Sequence, residues 1–455
     1  MELAFLGKLE FFNQTIGVNM LTAVDNDLLT RTGPETPMGK FFRHFWQPIA
    51  LSKELAQKDG SPLCVNIMGE EFIAFRNTNG ELGLVDSKCP HRGANLFYGR
   101  NEECGIRCVF HGWKFDINGL PMELPNVPPG AQYHETIRLR SFPVVEFGDI
   151  VWGYLGATKS EVETLSEPPR LEMGLLPASH RFVTKKLQEC NWAQSIEGAL
   201  DTSHFSFLHM PAPGVPSNQN PDAPADEKRL KWIREDTLPQ FSIIEHDVGF
   251  VVGGSRVADE GKRYWRTAQF ALPSHSTTPS TLPGETYFGY TWVPIDDQNC
   301  WIYTYAWNPV RPLTEDEIEK FKAGHGVIAE VDESYIPIRN RSNNYLIDRE
   351  MQKYINYTGV RGVAEQDAMI QDSQGRIADR TTEHLCASDI AIVQFRRKVM
   401  DGAKAISQGI KPIAPSKPGS YTLRSGSYIA EEGASFEDVM QARFGSRSGL
   451  TVDEK

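Results

Sequence analysis

Short runs of alternating apolar and polar residues fill the chain between residues 40 and 160. The runs Glu71–Phe75 and Gly83–Val85 are separated by an Asn- and Gly-rich segment that is typical of a turn. Residues 142–155 contain two further apolar runs around Gly148-Asp149, which predicts a hairpin. These patterns predict a small antiparallel β domain.

Longer apolar runs follow in the rest of the chain and predict a sheet with helices around it. The strand-like runs are Phe241–Glu245, Gly249–Val252, Tyr264–Leu272, Tyr287–Val293 and Trp301–Trp307. Helical spacing predicts one helix that begins near Cys190 and carries Trp192, Ile196, Leu200 and Phe207. A second helix is predicted from the capping box Thr314–Glu317 to Lys322, and a third from about Ser388 to Ile406.

The predicted fold class is α+β, with an N-terminal antiparallel β domain and a C-terminal mixed α/β domain whose antiparallel sheet is flanked by helices. The predicted divisions are an N-terminal extension and helix at 1–39, the β domain at 40–160, the mixed domain at 170–409 and a tail at 410–455. Residues 160–170 are expected to form a linker, and the Pro-rich residues 211–226 an irregular loop. The Gly-, Pro- and Ser-rich tail is expected to wrap a neighbouring surface or stay loose.

Composition and charge limit the classes of partner and the cellular location that are expected for the protein. The 455 residues carry a formal net charge of −12, which argues against a nucleic acid or an anionic membrane as partner. No apolar run approaches the length of a membrane span. The first residues lack a signal-peptide pattern, and either Met1 or Met20 is a candidate start. Seven cysteines form no regular framework, so a reducing cytoplasm is expected.

Two cysteines and two histidines form two mixed pairs. Cys89-Pro-His91 is a C-x-H motif, and Cys108-Val-Phe-His111 is a C-x-x-H motif. A [2Fe–2S] cluster held by two thiolates on one iron and two imidazoles on the other is a Rieske centre. A structural zinc site is the alternative, but zinc pairs usually run C-x₂₋₄-C followed by H-x₃₋₅-H. The spacing therefore favours a Rieske cluster.

A second group of metal-ligand residues lies in the predicted helix after Cys190. Asp201 and His204 stand three residues apart, and His209 follows five residues later. Two imidazoles and a carboxylate can hold Fe(II) with open coordination positions. On a regular helix the two histidines would point roughly 140° apart, so the helix must widen or break, and a π-type irregularity is expected. The alternative is an N-cap aspartate followed by two ordinary histidines.

With these motifs the chain resembles the Rieske non-haem iron oxygenases that hydroxylate aromatic rings. The segments that carry the resemblance are LLTRTGPETPMGKFFRHFWQPIA at 28–50, CPHRGANLFYGRNEECGIRCVFHGWKFDINGLPMELP at 89–125 and NWAQSIEGALDTSHFSFLHM at 191–210. The similarity is greatest to the oxygenase components of the phthalate, 3-chlorobenzoate and phenoxybenzoate dioxygenase group, and it extends from about Met20 to about Ile406. Related demethylases of methoxylated aromatic acids share the pattern.

The resemblance implies roles for further residues around the iron. In AEQDAMIQDSQGRIADR, Asp367 matches the third ligand, and Glu365 and Asp372 are the local alternatives. Asp201 matches an aspartate that connects an iron-binding histidine to a Rieske histidine of the adjacent subunit. A head-to-tail homotrimer or a stacked hexamer is therefore implied, with His111 facing Asp201 of a neighbour. Asn191 matches a polar position near the iron, and its alternative role is a helix N-cap.

The sequence also bears on the electron donor and on the residues that bind the substrate. The sequence has no dinucleotide-binding or plant-type ferredoxin motif, so a separate reductase with flavin and iron–sulfur centres is implied. Arg266, in an apolar and aromatic strand, roughly matches an arginine that binds a substrate carboxylate, and Arg234 is a second candidate. Their alternatives are a structural ion pair and a solvent-exposed charge. Gln240 stands where relatives often carry a basic residue. The sequence therefore leaves open whether the substrate has one carboxylate or two.

The resemblance implies a terminal oxygenase that uses O₂ and electrons from an NAD(P)H-dependent reductase. Its expected reaction is hydroxylation or dihydroxylation of a small aromatic carboxylate of the phthalate, chlorobenzoate or phenoxybenzoate type. O-demethylation of a methoxylated aromatic acid by the same iron chemistry is the alternative within the class. A Rieske electron-transfer protein without catalytic iron, and a zinc-stabilised binding protein, are the alternatives from other classes.

Overall fold

The computed structural model describes residues 20–162, 164–216, 227–279 and 286–450. Among these residues the strands are β1 Trp46–Leu51, β2 Leu63–Ile67, β3 Glu70–Arg76, β4 Leu82–Asp86, β5 Arg100–Glu102, β6 Gly105–Arg107, β7 Lys114–Phe115, β8 Pro121–Glu123, β9 Val144–Phe147, β10 Ile150–Tyr154, β11 Arg181–Gln188, β12 Gln240–His246, β13 Gly249–Val257, β14 Lys262–Ala271, β15 His275–Thr278, β16 Tyr287–Pro294, β17 Cys300–Trp307 and β18 Ser427–Glu431. The helices are α1 Ala23–Thr30, α2 Pro37–Arg43, α3 Tyr133–Thr136, α4 Glu172–Leu175, α5 Trp192–Leu200, α6 Glu227–Glu235, α7 Glu315–Lys322, α8 Arg349–Tyr354, α9 Val363–Ser373, α10 Ile390–Ser407 and α11 Phe436–Phe444.

The N-terminal domain consists of three small antiparallel sheets, in the strand orders β1-β10-β9, β2-β3-β4 and β5-β6-β7-β8. The predicted hairpin is present as β9 and β10, joined by Gly148 and Asp149 with φ values of 66° and 62°. Two consecutive left-handed residues match the right-handed twist of the flanking strands. The Cys108–His111 motif lies in the loop between β6 and β7 of the four-stranded sheet, and the Cys89–His91 motif lies in the loop between β4 and β5.

The C-terminal domain is built on one large antiparallel sheet, in the order β11-β17-β16-β15-β14-β13-β12. All five predicted strand runs lie in this sheet, and the predicted α+β class is confirmed. Three strands were not predicted: β11, the short β15 and β18. β18 pairs with the first half of β14, where Ser427 lies opposite Arg266.

Two of the predicted helices have the expected bounds. α7 begins after Thr314, whose hydroxyl accepts the Glu317 N–H, while the Glu317 carboxylate accepts the Thr314 N–H at 2.8 Å. This reciprocal pair confirms the capping box. α10 extends from Ile390 to Ser407, close to the predicted range.

The helix predicted near Cys190 is shorter than expected. α5 ends at Leu200, so the prediction that Phe207 belongs to it is wrong. Asp201 caps the helix, and its carboxylate accepts the Ser203 N–H at 2.6 Å. The Ser203 N–H thus bonds to a side chain and not to a helical backbone carbonyl, and the helix ends here. Phe207 has non-helical dihedrals of −136° and −67°, and its ring is half-exposed.

One apolar core extends through both domains. It joins Phe72 and Trp152 of the N-terminal domain to Trp192, Phe270 and Phe395 of the C-terminal domain. A polar contact also joins the two domains. Lys185 of the C-terminal domain donates to both carboxylate oxygens of Glu54 of the N-terminal domain, at 2.8 and 2.7 Å. The two domains of one chain are therefore fixed against each other.

The segment after residue 409 folds onto the large sheet of the C-terminal domain. α11 covers the face of β13 and β14 on which Trp265 stacks against Phe436, with ring centroids 4.9 Å apart. Through residue 450 the chain thus packs against its own sheet, and the expectation of a loose tail is wrong for this part. Among the helices of the described residues, none has both the length and the apolar character that a membrane crossing requires.

Candidate active site

Two loops of similar geometry present the Cys and His motifs of the N-terminal domain. The Cys89 N–H donates to the Ala94 carbonyl at 2.8 Å, and the Cys108 N–H donates to the Trp113 carbonyl at 2.8 Å. Each cysteine carbonyl accepts the N–H of a glycine, Gly93 or Gly112, at 2.9 Å. Both glycines have positive φ values, 71° and 78°, which explains why these positions favour glycine.

The side chains of these loops fit a Rieske cluster. Cys89 and Cys108 are buried, and His91 and His111 lie beside each other with ring centroids 4.5 Å apart. Trp113 stacks on His91 at 4.4 Å and fixes that ring. Nδ1 of His111 is buried without a hydrogen-bond partner in the described structure, as expected of an atom that faces a cluster. Burial raises the pKa of the Cys89 thiol, and a bound iron would favour the thiolate.

We expect Cys108→Ser or His111→Ala to abolish the visible absorption of the cluster, because each variant removes one of four ligands. Cys104→Ser is the matched control, since Cys104 lies in the tight turn between β5 and β6 with a φ value of 63°. Absorption spectra and sulfide content of the purified variants check this. A full spectrum in either ligand variant would contradict the Rieske assignment.

A second group of ligand atoms meets in the C-terminal domain. Nε2 of His204 lies 3.1 Å from Nε2 of His209. Oδ1 of Asp367 lies 3.2 Å from Nε2 of His209 and 3.7 Å from Nε2 of His204. Because two imidazole nitrogens and a carboxylate oxygen point at one another in a partly buried site, the arrangement fits a divalent cation. His204, His209 and Asp367 therefore form a candidate mononuclear iron site.

The backbone brings the two histidines together by a break. After α5 ends at Leu200, a single 3₁₀ turn covers His204–Ser206, and Phe207 leaves the helical region. The sequence predicted that the helix must widen or break, and a break is present. The expected π-type irregularity is absent between residues 200 and 210.

Asp201 supports His204 from behind. Its Oδ2 lies 3.3 Å from Nδ1 of His204, on the side of the ring opposite the iron site. Burial opposes ionisation, but the hydrogen bond and charge of His204 lower the pKa of Asp201 overall. The same pair raises the pKa of His204 in spite of its burial. Asp201 is therefore a carboxylate at neutral pH that orients the His204 ring of the candidate iron site.

His209 has a partner that sequence reasoning did not identify. Its Nδ1 lies 2.7 Å from Oε1 of Gln366, which is buried in the first turn of α9. The only sequence signal was the position of this polar residue directly before Asp367. The two iron-binding histidines thus have different supports, a carboxylate for His204 and an amide for His209.

The other carboxylates of α9 face different partners. Glu365 accepts the Glu330 N–H at 3.2 Å, and burial raises its pKa to about 7. Asp372 accepts from Gln188 at 2.6 Å and from the Tyr345 hydroxyl. Of the three carboxylates that the sequence offered as third ligand, the structure brings only Asp367 to the histidines.

Asn191 occupies the N-cap of α5. Its Oδ1 accepts the Ala193 N–H at 3.0 Å, and its Nδ2 donates to the carbonyls of Thr30 and Asp297 at 2.9 and 2.8 Å. Asn191 therefore lies at the N-terminal end of α5, whereas Asp201 lies at its C-terminal end. The described contacts of Asn191 therefore match its alternative role as a cap.

Arg266 is buried next to the iron site. Its guanidinium carbon lies 3.6 Å from the centre of the Phe205 ring, and its Nε has no partner among the described residues. Arg256 on β13 is also fully buried; it donates to the carbonyls of Thr202 and Asp236 at 2.8 and 3.0 Å and leaves Nη1 unpaired. Burial lowers the pKa of Arg256 to about 10.

These two arginines lie on one face of the sheet. Gly254 stands between them, directly opposite Arg266 on β14, and a Cβ there would meet Thr202 at 2.4 Å. In the described part of the chain, Arg256 Nη1 and Arg266 Nε have no hydrogen-bond partner, and Tyr264 is a polar neighbour of the Arg266 guanidinium. Sequence reasoning missed Arg256. Arg234, in contrast, is exposed on α6, and its predicted substrate role has no support from this position.

A groove opens on the outer side of the iron site. Its volume is about 500 Å³, and Asp201, His204 and Asp367 lie in its wall. A buried network of Glu197, Arg380, Arg396 and Glu383 forms another part of the wall. Asp201 is therefore accessible from outside this chain.

Comparisons with known proteins agree with both sites. The Rieske [2Fe-2S] domain model matches residues 45–143, and the model described as LigXa C-terminal domain like matches residues 154–432. The 3-chlorobenzoate-3,4-dioxygenase oxygenase subunit of Comamonas testosteroni is 33% identical over 438 residues, covering 93% of this chain and 99% of that protein. The phthalate 4,5-dioxygenase oxygenase subunit of Pseudomonas putida is 35% identical over 402 residues, covering 87% and 89%.

The crystal structure of dicamba monooxygenase bound to dicamba shares the fold, with a TM-score of 0.55 at 16% identity over 81% of this chain and 99% of that one. The chain therefore belongs to the Rieske non-haem iron oxygenases. Within this family it is an oxygenase subunit, which contains a Rieske [2Fe–2S] cluster and the candidate iron site of His204, His209 and Asp367. An oxygenase subunit receives its electrons from a separate reductase.

Proposed function

We propose that this subunit hydroxylates or dihydroxylates a small aromatic carboxylate. The observation that carries the proposal is Arg266, a buried cation with an unpaired Nε–H beside the iron site. Tyr264 is a polar neighbour of this guanidinium, but the Nε–H stays unpaired. A buried, unpaired donor on a cation is costly, and a ligand carboxylate would remove that cost. The relatives named for 3-chlorobenzoate and phthalate act on substrates of this chemistry.

The residues around Arg266 have the chemistry that an aromatic acid needs. Leu200, Phe205, Val252 and Ala268 are apolar and line, with Arg266, a cavity of about 10 Å³, which would have to widen to admit an aromatic ring. Stacking on Phe205 leaves the edge of the guanidinium free to donate. Thr202 lies in the same wall with an unpaired hydroxyl, and Arg256 holds the Thr202 carbonyl in place. The ring of the substrate would then lie against apolar side chains, and its carboxylate against donors.

The metal groups would supply the redox chemistry: the cluster one-electron transfer, and the iron activation of dioxygen. The chain's own residues position the reactants. His204, His209 and Asp367 would hold the iron, Arg266 would orient the acid, and the apolar walls would exclude water. Asp201 would connect the two metal centres through His204.

We further propose a head-to-tail ring, as a homotrimer or stacked hexamer, in which His111 of one copy faces Asp201 of the next. The groove beside Asp201 supports this arrangement. The cluster loops carry the exposed apolar residues Phe97, Tyr98, Val109 and Phe110, which suit a protein contact. The reductase would contain flavin and iron–sulfur centres, and the location of the system would be the cytoplasm.

Product analysis with a panel of benzoates, phthalates and methoxybenzoates, O₂ and a surrogate reductase tests the reaction. Ring-hydroxylated products from an acid, and none from the matching methyl ester, support the proposal. Formaldehyde release from methoxybenzoates without ring hydroxylation would identify an O-demethylase instead. An iron content of about two per chain, with no turnover, would indicate an electron-transfer protein.

Arg266→Ala is expected to raise KM for an acidic aromatic substrate by roughly 10- to 150-fold, since a charge-assisted hydrogen bond contributes on the order of 1.5–3 kcal/mol. Iron and sulfide content should stay unchanged. Arg234→Ala is the control, because it removes an exposed arginine from α6. Steady-state kinetics check both variants, and an unchanged KM in Arg266→Ala would show that this arginine has only a structural role.

A further inference from the structure

The orientation of the Gln366 side chain is determined by a contact away from the iron site. Its Nε2 donates to the Val360 carbonyl at 2.9 Å. A carbonyl oxygen can only accept, so the amide nitrogen must lie on this side. The Val360 carbonyl is itself fixed, because it also accepts the buried Asn356 Nδ2 at 2.9 Å. The amide oxygen of Gln366 therefore faces His209.

This orientation determines where the proton of His209 lies. Oε1 of Gln366 is 2.7 Å from Nδ1 of His209 and can only accept a hydrogen bond. Nδ1 must then carry the hydrogen, and a neutral imidazole with Nδ1–H has its lone pair on Nε2. Nε2 is the atom that lies 3.2 Å from Oδ1 of Asp367 and 3.1 Å from Nε2 of His204.

We propose that Gln366 is a positioning residue for the iron site, which holds His209 in the Nδ1–H form and aims Nε2 at the metal. The inference rests on the iron site of the proposed function. It goes beyond that site because no iron ligand or substrate contact includes Gln366. α9 thereby supplies both a ligand, Asp367, and the group that orients a ligand from a different segment.

The Gln366 amide differs from a carboxylate in that it brings no charge to the histidine that it orients. Asp201 adds a negative charge behind His204, whereas Gln366 is neutral and accepts from His209 without adding charge. Buried carboxylates next to a metal ligand raise its basicity. With one carboxylate and one amide, only His204 receives that charge, and His204 is the histidine on the side of the groove.

Gln366→Met tests the inference, because it retains the length of the side chain and removes the acceptor. We expect Fe(II) affinity, measured by chelator competition, to fall about 10- to 100-fold, with the cluster spectrum unchanged. Gln366→Glu restores an acceptor for His209 but loses the donor to the Val360 carbonyl, so it should recover only part of that affinity. Gln269→Met is the control: Gln269 is an equally buried glutamine on the opposite face of β14 that donates to the Ser448 carbonyl at 2.8 Å.

The outcomes separate this inference from the proposed function. Wild-type protein that binds no iron beyond its cluster would overturn the iron site itself. If Gln366→Met binds iron within about twofold of the wild type, or no more weakly than Gln269→Met, only the role of Gln366 is overturned.

A measurement on wild-type protein covers the case in which Gln366→Met does not fold. With ¹⁵N-labelled histidine and Zn(II) in the iron site, His209 should show a protonated Nδ1 and slow exchange of that hydrogen. Metal coordination through Nδ1, or exchange as fast as that of an exposed histidine, would overturn the inference.

Discussion

Asp201→Asn is expected to bind both metal groups and to lose almost all turnover. The amide keeps the size of the side chain, but it removes the charge behind His204. Loss of such an outer partner alone costs about 10- to 100-fold. Because Asp201 is also the proposed connection to the cluster of a neighbour, the expected loss in turnover exceeds roughly 100-fold. Stopped-flow oxidation of the reduced cluster in the presence of substrate and O₂ would show the slow step directly.

Mixed rings provide the control for this prediction. When Asp201→Asn chains are co-expressed with His111→Ala chains, every mixed trimer has a single interface at which an intact His111 faces an intact Asp201. About one third of wild-type activity per ring is therefore expected, while either variant alone stays inactive. No recovery in verified mixed rings would mean that electrons move within one chain.

The second large effect is expected from Asp367→Ala. This variant should lose the mononuclear iron and its turnover, while the cluster remains, because the cluster loops pack in a separate small core. Metal analysis should fall from about three to about two irons per chain, with about two sulfides retained. His204→Ala should behave in the same way.

Glu350→Ala, which removes an exposed carboxylate from α8, serves as the control for Asp367→Ala. A variant without Asp367 that still holds three irons and turns over fully would place the third ligand elsewhere. Glu365 and Asp372 would then need to be tested, although both face other partners in the structure.

Features encoded in short segments could be predicted from the sequence. The turn at Gly148-Asp149, the capping box at Thr314 and the mixed Cys/His pairs each depend on neighbouring residues alone. The strand runs were recognisable because their apolar residues are buried in a sheet. Strand β15 has only four residues, Ser, Thr and His among them, and gives no apolar signal.

Features that depend on distant contacts could not be predicted. The end of α5 at Leu200 results from a carboxylate that prefers its own backbone neighbour, in a segment with good helical spacing. The roles of Gln366 and Arg256 depend on which side chains the fold brings to them. A lone glutamine or arginine in a sequence carries no such information.

The pairing of β18 with β14 has a consequence for synthesis of the protein. The half of β14 that carries Arg266 obtains one of its two neighbouring strands from residues 427–431, about 160 positions later in the chain. Contacts over such separations form slowly and only after the later segment exists. On the ribosome, this half of β14 therefore keeps one unpaired edge until nearly the whole polypeptide has emerged. During that interval the unpaired N–H and C=O groups of β14 are open to pairing with any other exposed strand.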